Sequence, residues 1–171
     1  MPPALGMIDS WIFDLDNTLY PARVDLFALI DEKMGQFIQT LLGVDPVEAR
    51  RVQKRYFVDH GTTLAGLMAH EGIDPHEFLD FVHDIDMSRL APDPALNAAL
   101  AKLPGRKLIF TNGDAAYASR VLDGLGLASS FDGLFDIHGA RYRPKPHPGT
   151  DEDMCRALKV DAAPVLALLP Q

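Results

Sequence analysis

The chain has 171 residues, a 47% apolar composition and a formal net charge of −8. This length predicts one compact domain that can carry an insertion. An acidic chain is a poor general binder of nucleic acid, because such binding depends on basic contacts to phosphates. A single cysteine, Cys155, excludes an intrachain disulfide, and no apolar run approaches the ~18 residues that span a bilayer, so we expect a cytoplasmic protein without nucleic-acid or membrane partners.

The first predicted strand, Trp11–Leu15, contains the first of two carboxylates and leads directly to the second. Asp14 and Asp16 lie two residues apart in the segment FDLDNTLY, residues 13–20. A low dielectric disfavours two negative charges held so close, and a hard divalent cation is the natural group to offset their repulsion. The pair therefore indicates a metal-assisted site in which one carboxylate can act as a nucleophile.

A long helical pattern follows the acidic strand. Apolar residues recur at three- and four-residue spacing until Gly43 ends the first run. Asp45-Pro46 and Asp74-Pro75 each combine an aspartate N-cap with a proline in the first turn, so each opens a further helix. We interpret residues 20–91 as an α-helical cap that is placed to cover the acidic strand end. The cap is inserted into an α/β core formed by residues 1–19 and 92–171.

Three more apolar runs predict strands, at Lys107–Thr111, Leu134–Ile137 and Val165–Leu169. The segment Ala91–Pro94 is predicted to be a turn that leads back to the sheet. A helix is predicted over Ala115–Leu125, with Gly126 as its C-cap. Strands that alternate with helices predict an α/β fold with a doubly wound, Rossmann-like parallel sheet.

Ligands bind at the carboxyl ends of the strands in such a sheet, so the residues that follow each strand are candidate site residues. The second strand ends at Thr111, followed by Asn112 and Gly113, and Lys145 follows the third strand between two prolines. An acid pair, a hydroxyl with main-chain donors and a lysine would meet at one point. This set suits phosphoryl transfer through a covalent aspartyl phosphate.

In this order, the motifs resemble those of the haloacid dehalogenase-like hydrolase superfamily, and the helical insert resembles its α-helical cap. FDLDNTLY and the cap segment YFVDHGTTLAGL, residues 56–67, are similar to the pyrimidine 5'-nucleotidase branch. The resemblance implies a Mg²⁺-dependent phosphatase whose substrate is a small phosphorylated metabolite, a pyrimidine nucleoside monophosphate.

The resemblance also implies roles for four catalytic residues. Asp14 would attack phosphorus and bind Mg²⁺. Asp16 would protonate the leaving oxygen and then activate water, while its main-chain carbonyl binds the metal. Thr111 would hydrogen-bond a phosphoryl oxygen, and Lys145 would neutralise charge on Asp14 and the phosphate.

Further residues receive supporting roles from the same resemblance. Thr18 would steady the loop, and Asn112 and Gly113 would bind phosphate through their main chains. Three side chains are candidates for contact with a nucleobase, with packing in the core or at the rim as the alternative for each: Tyr20, Tyr56 and His60.

One motif of the superfamily is not found: an acidic pair is expected after the fourth strand, and the stretch Ala163–Gln171 holds no acid. Asp151, Glu152 and Asp153 are interpreted as acids in the first turn of a helix, where they suit its dipole, and not as substitutes. Two alternatives therefore stay open, a catalytically silent form that binds phosphate or a partner and a sugar-phosphate mutase on the same scaffold. The fourth strand is expected to neighbour the first and to leave an apolar sheet edge that favours self-association.

Overall fold

A computed structural model describes residues 7–161 and the main chain of residues 165–168. The chain divides into two compact units. The sheet unit consists of Met1–Val24 and Met87–Gln171, and the helical unit consists of Asp25–Asp86. Together they form the mixed α/β fold that the sequence predicts.

A parallel sheet of four strands, in the order β3-β2-β1-β4, organises the described part of the sheet unit. Ser10 of β1 pairs with Arg106 of β2 on one side and with Val165 of β4 on the other, so the fourth strand does neighbour the first. All four residues of β1 are buried, as expected for a strand covered on both faces. The predicted strands differ from the observed ones by one or two residues at their ends, and Leu169 lies outside the described residues. The strands are β1 Ser10–Phe13, β2 Arg106–Phe110, β3 Gly133–Phe135 and β4 Val165–Leu168.

The described part of the sheet unit contains three α-helices, numbered after the four of the helical unit: α5 Pro94–Ala101, α6 Ala115–Gly124 and α7 Pro148–Leu158. The predicted turn at Ala91–Pro94 is wrong at its last residue, because Pro94 begins α5 and the Asp93 carboxylate accepts a hydrogen bond from the main-chain N–H of Leu96 at 2.9 Å. This is the same Asp-Pro signal that opens two helices of the other unit. Helix α6 ends at Gly124, and Gly126, the predicted C-cap, follows in the left-handed region with φ +69°.

The helical unit contains four α-helices, and they confirm the helix starts and stops that the sequence predicts. Asp45 and Asp74 are N-caps whose carboxylates accept main-chain hydrogen bonds, and Gly43 ends the first helix with φ 64°. Helix α1 packs against α2 and α4, and α2 packs against α3. Across the described part of the chain, no helix combines the length and the apolar character needed to cross a bilayer. The helices are α1 Leu26–Leu42, α2 Pro46–His60, α3 Thr63–Glu71 and α4 Pro75–His83.

The close approach of α2 and α3 gives a stability prediction. A Cβ added at Gly66 would lie 2.3 Å from Cβ of Tyr56, a distance that forces the two helices apart. We expect Gly66→Ala to cost about 1–3 kcal/mol in the free energy of unfolding, measured by urea denaturation. Gly35→Ala is the matched control, because a Cβ at Gly35 of α1 would meet nothing within 4 Å and removing a glycine from a helix interior stabilises it by ~0.5–1 kcal/mol. Equal midpoints for the two variants would contradict the observed helix contact.

Candidate active site

The candidate site lies where β1 and β2 end. Asp14 follows β1 directly and Thr111 follows β2, and both are buried, with exposed fractions of 8% and 1%. Because the two strands are parallel neighbours, their carboxyl ends lie at the same edge of the sheet. The fold therefore brings the first two predicted motifs to one edge.

Lys145 reaches this edge from the segment between β3 and α7. Its Nζ donates to Oδ1 of Asp14 at 2.8 Å and to the main-chain oxygen of Phe110 at 2.7 Å, and it lies 4.8 Å from the centre of the Phe110 ring. Both side chains of the ion pair are largely buried, with 15% of Lys145 and 11% of Asp14 exposed. A buried pair is sustained when further hydrogen bonds satisfy its charges, and the Phe110 carbonyl serves that purpose. The structure thus fixes a positive charge beside Asp14.

Asn112 holds the main chain of Lys145 in place. The Asn112 Oδ1 accepts from the main-chain N–H of Lys145 at 2.8 Å, and its Nδ2 donates to the Lys145 carbonyl at 3.5 Å. The sequence predicts only a main-chain phosphate contact for Asn112. Its side chain has this second task, which no local pattern could reveal because the two residues are 33 positions apart.

Thr111 and Gly113 form a tight turn after β2. The Thr111 Oγ1 accepts a hydrogen bond from the main-chain N–H of Gly113 at 3.0 Å, and the Thr111 N–H donates to the carbonyl of Phe135 at 3.0 Å. The turn is therefore tied to both its own residues and β3. The main-chain N–H of Gly113, which the sequence assigns to phosphate binding, donates to the Thr111 hydroxyl in this structure.

Asp16 is held by two tyrosines. Its Oδ1 accepts hydrogen bonds from the hydroxyl of Tyr20 and from the hydroxyl of Tyr117, the latter at 2.9 Å. Burial first, and the negative charge of Asp16 second, raise the pKa of both tyrosines far above the ordinary value, so both stay protonated donors. Tyr20 is only 3% exposed. The Tyr20 hydroxyl thus bonds to Asp16, and the suggested contact of Tyr20 with a nucleobase stays a prediction.

Tyr117 is the residue that the sequence motifs did not identify. It lies in the first turn of α6, where the Asp114 N-cap accepts from its main-chain N–H at 2.7 Å, and it is 1% exposed. Its position directly after the Thr111 turn was the available signal, since the first turn of a helix that follows a strand end faces the ligand edge of such a sheet.

The loop that carries Asp16 is shaped by its own main chain. The N–H groups of Thr18 and Leu19 donate to the Leu15 carbonyl at 3.3 and 3.0 Å, and Asn17 adopts a positive φ of 60°. In the part of the chain that the structure describes, the buried Thr18 Oγ1 has no hydrogen-bond partner. Thr18 thus contributes to the loop through its backbone, and its hydroxyl is an unsatisfied polar atom within it.

Two hard oxygen donors suit a Mg²⁺ ion at this edge: the Asp14 carboxylate and the main-chain carbonyl of Asp16. Residues 7–161 contain no group of three or more His, Cys, Asp or Glu side chains arranged to hold a metal. Mg²⁺ commonly keeps several waters and uses one or two carboxylates together with substrate phosphate. The donor set therefore fits this ion with few protein ligands.

Asp153 lies in α7 but beyond its first turn, in which the sequence interpretation placed it; of the three acids, Asp151 is the one in that turn. It accepts hydrogen bonds from Arg141 at 2.8 Å, from Arg143, and from Arg156 at 3.3 Å. The bond from Arg141, together with the charges of the three arginines, lowers the pKa of Asp153. This carboxylate is thus neutralised by guanidinium groups on α7 and the preceding loop. The stretch Ala163–Gln171, where the missing acidic motif is expected, lies outside the described residues except for the main chain of β4.

The two remaining candidates, Tyr56 and His60, belong to the helical unit. The Tyr56 hydroxyl donates to Glu71 at 2.7 Å and its ring stacks on His70, with centroids 5.1 Å apart. His60 is exposed, and its Nε2 lies 2.9 Å from Nε2 of His70. Tyr56 is buried, as the packing alternative expects. Contact of either residue with a nucleobase stays a prediction.

Comparisons with known proteins give one family and a curated relative. A family model described as haloacid dehalogenase-like hydrolase matches residues 8–168. Phosphate metabolism protein 8 of Saccharomyces cerevisiae is 31% identical over 171 aligned positions, which cover 91% of this chain and 51% of that protein. The chain therefore spans about half the length of this relative.

Solved structures share the fold. The HAD phosphatase from Thermococcus onnurineus superposes with a TM-score of 0.58 at 18% identity, covering 96% of this chain and 79% of that one. The HAD-hydrolase YfnB from Bacillus subtilis, solved bound to magnesium, gives a TM-score of 0.55 at 14% identity, covering 94% and 78%. At these identities the likeness establishes a common fold.

Proposed function

The chain belongs to the haloacid dehalogenase-like hydrolase family, and we propose that it hydrolyses phosphomonoesters through an aspartyl phosphate on Asp14. The observation that carries this proposal is the buried contact of 2.8 Å between Asp14 and Lys145, next to Thr111 at the same sheet edge. A carboxylate nucleophile beside a fixed cation can approach an anionic phosphate that would otherwise repel it.

The proposed reaction has two displacements. In the first, an oxygen of Asp14 forms a bond to phosphorus while the bond from phosphorus to the ester oxygen breaks, and Asp16 gives that oxygen a proton. In the second, Asp16 takes a proton from water, the water oxygen bonds to phosphorus, and Asp14 is released. Lys145 and the Thr111 hydroxyl stabilise charge on the phosphoryl oxygens throughout.

We propose that Mg²⁺ is the cofactor and that Asp14 and the Asp16 carbonyl hold it. When bound, the ion neutralises charge on the transferring phosphoryl group. Two observations support this assignment: the hard oxygen donors at the end of β1, and the magnesium found in YfnB.

Asp16 favours a phosphatase over a dehalogenase. An alkoxide leaves phosphorus slowly unless it is protonated, whereas a halide needs no proton, and the superfamily's dehalogenases lack a carboxylate at this position. The name of the Saccharomyces relative, a phosphate metabolism protein, agrees with this choice. The similarity of residues 13–20 and 56–67 to pyrimidine 5'-nucleotidases supports pyrimidine nucleoside monophosphates as substrates.

This substrate class can be tested directly. With Mg²⁺ present, we expect phosphate release from UMP and CMP with kcat/KM at least ~10-fold above that for simple alkyl phosphates, because a pocket that binds the base adds specific contacts. EDTA should suppress release and added Mg²⁺ should restore it. Halide release from a 2-haloacid in place of phosphate release would contradict the proposal.

Binding without turnover is the second candidate function. The observation that favours it is that the stretch Ala163–Gln171 holds no acid where the superfamily carries an acidic pair, and that pair normally contributes a carboxylate to the metal. Inorganic phosphate would then raise the melting temperature of the protein while no ester is cleaved. Turnover of UMP at an ordinary rate would exclude this candidate.

A further inference from the structure

We propose that Tyr117 and Tyr20 are positioning residues for proton transfer: together they hold Oδ1 of Asp16 and so fix the orientation of the carboxylate that exchanges a proton with substrate and water. The inference rests on the proposed phosphatase function and deepens it, because it names the two side chains that orient the acid–base group.

The argument begins with the hydrogen bonds on one oxygen. Oδ1 of Asp16 accepts from both the Tyr20 and the Tyr117 hydroxyls. A carboxylate oxygen has two lone pairs in the plane of the group, and two donors occupy both of them. Oδ1 is therefore anchored by two hydroxyl donors of the protein.

The two donors come from different places in the fold. Tyr20 is four residues from Asp16 in the same loop, and Tyr117 is 101 residues away on α6. One bond from the loop itself and one from a helix restrict both the side-chain torsion and the plane of the carboxylate. Such restriction matters because proton transfer requires the reacting oxygen within hydrogen-bond reach of its target.

Both tyrosines are enclosed by the protein. They are almost fully buried, with 3% of Tyr20 and 1% of Tyr117 exposed. Water therefore has little access to compete for their hydrogen bonds to Asp16, and a buried hydroxyl that lost its acceptor would be left unsatisfied.

Tyr117 also links the acid to the phosphate-binding turn. Its main-chain N–H is fixed by Asp114, and a Cβ added at Gly113 would lie 3.1 Å from its ring. The turn that ends β2 thus packs directly against the residue that holds Asp16. The position of the phosphate and the orientation of the acid are consequently set by one continuous segment, residues 111–117.

The test uses two esters that differ in their need for a proton. The 5'-oxygen of UMP is a poor leaving group that must be protonated as its bond to phosphorus breaks. The p-nitrophenolate ion is a good leaving group that needs no proton. In the full chain with Mg²⁺, we expect Tyr117→Phe to lower kcat for UMP by ~10-fold or more, a part of the ~10²–10⁴-fold that acid–base catalysis supplies. The pre-steady-state burst of p-nitrophenolate, which reports only the first displacement, should change in rate by less than ~2-fold. The second displacement also needs Asp16, so the subsequent release of phosphate should slow for both esters.

Tyr142→Phe is the matched control, because it removes the hydroxyl of another tyrosine of the sheet unit, one that lies 3.0 Å from Nδ1 of His138. It should leave both rates unchanged. A fall in the rate of the nitrophenolate burst as large as the fall in kcat for UMP would assign Tyr117 a general structural role and overturn the proposal, and so would an unchanged kcat for UMP.

A second measurement decides the point without turnover. If the unsubstituted chain releases phosphate from neither ester, the proposed function fails, but the contact between Tyr117 and Asp16 can still be measured. Urea unfolding of Tyr117→Phe, Asp16→Asn and the double variant should give midpoint shifts that do not add, because the two side chains interact. Additive shifts would show that the hydroxyl does not hold Asp16.

Discussion

Asp14→Asn is expected to abolish phosphate release, with a loss in kcat on the order of 10⁴-fold or more. Asparagine has nearly the same shape as aspartate, but its amide oxygen is a far weaker nucleophile and cannot form the aspartyl phosphate. The substitution also removes a negative charge that repels the substrate. We therefore expect inorganic phosphate to bind at least as tightly to this variant as to the unsubstituted chain.

Phosphate release from UMP and calorimetric binding of inorganic phosphate measure the two expectations together. Asp123→Asn is the control, because it makes the same chemical change at an exposed acid of α6. A variant that binds phosphate but releases none would identify Asp14 with the chemical step. Turnover retained in Asp14→Asn would eliminate Asp14 as the nucleophile.

Lys145→Met is expected to lower kcat/KM for UMP by ~10²–10³-fold, the scale found when one preorganised stabilising group is removed. Methionine keeps the length of the side chain without its charge. Asp14 would then remain buried at 11% side-chain exposure without its cation, and the free energy of unfolding should fall by up to ~3 kcal/mol.

Lys145→Arg should not restore activity. The Lys145 ammonium fits between two oxygens, one at 2.8 Å and the other at 2.7 Å, and a planar guanidinium cannot occupy the place of this compact charge. Lys102→Met, at an exposed residue just after α5, controls for the loss of a lysine from the sheet unit. Steady-state kinetics and urea unfolding test both statements, and an unchanged kcat/KM in Lys145→Met would refute the role of the charge.

The strands and helix starts follow from local chemistry that the sequence displays. Short apolar runs locate β1 to β4 because a parallel sheet buries both faces of its strands. Asp45-Pro46 and Asp74-Pro75 predict helix starts because the aspartate caps and the proline needs no hydrogen-bond donor at this position. Asp93-Pro94 carries the same signal, but the helix that it opens buries only Leu100, so periodicity gave no support for it.

The meeting of Asp14, Thr111 and Lys145 could be expected for a topological reason, since the carboxyl ends of parallel strands share an edge. The contacts that complete the site depend on three-dimensional placement. The Tyr117 hydroxyl bonds to an aspartate 101 residues away, a separation that no local pattern reveals. The sequence leaves packing in the core or at the rim open for Tyr20, and the structure shows it buried with its hydroxyl on Asp16.

The two bonds between the Asn112 side chain and the Lys145 main chain have a consequence for loop exchange between relatives. The loop after β3 carries the Lys145 ammonium, and Asn112 in the loop after β2 holds the main chain from which that side chain extends. Neither loop alone therefore sets the position of the ammonium. A chimera that receives one of these loops from a related protein without the other should fold, but its lysine ammonium should no longer lie beside the nucleophile. Exchanging both loops together should preserve the distance between the ammonium and the nucleophile. The two loops should therefore be inherited together although they are distant in the sequence.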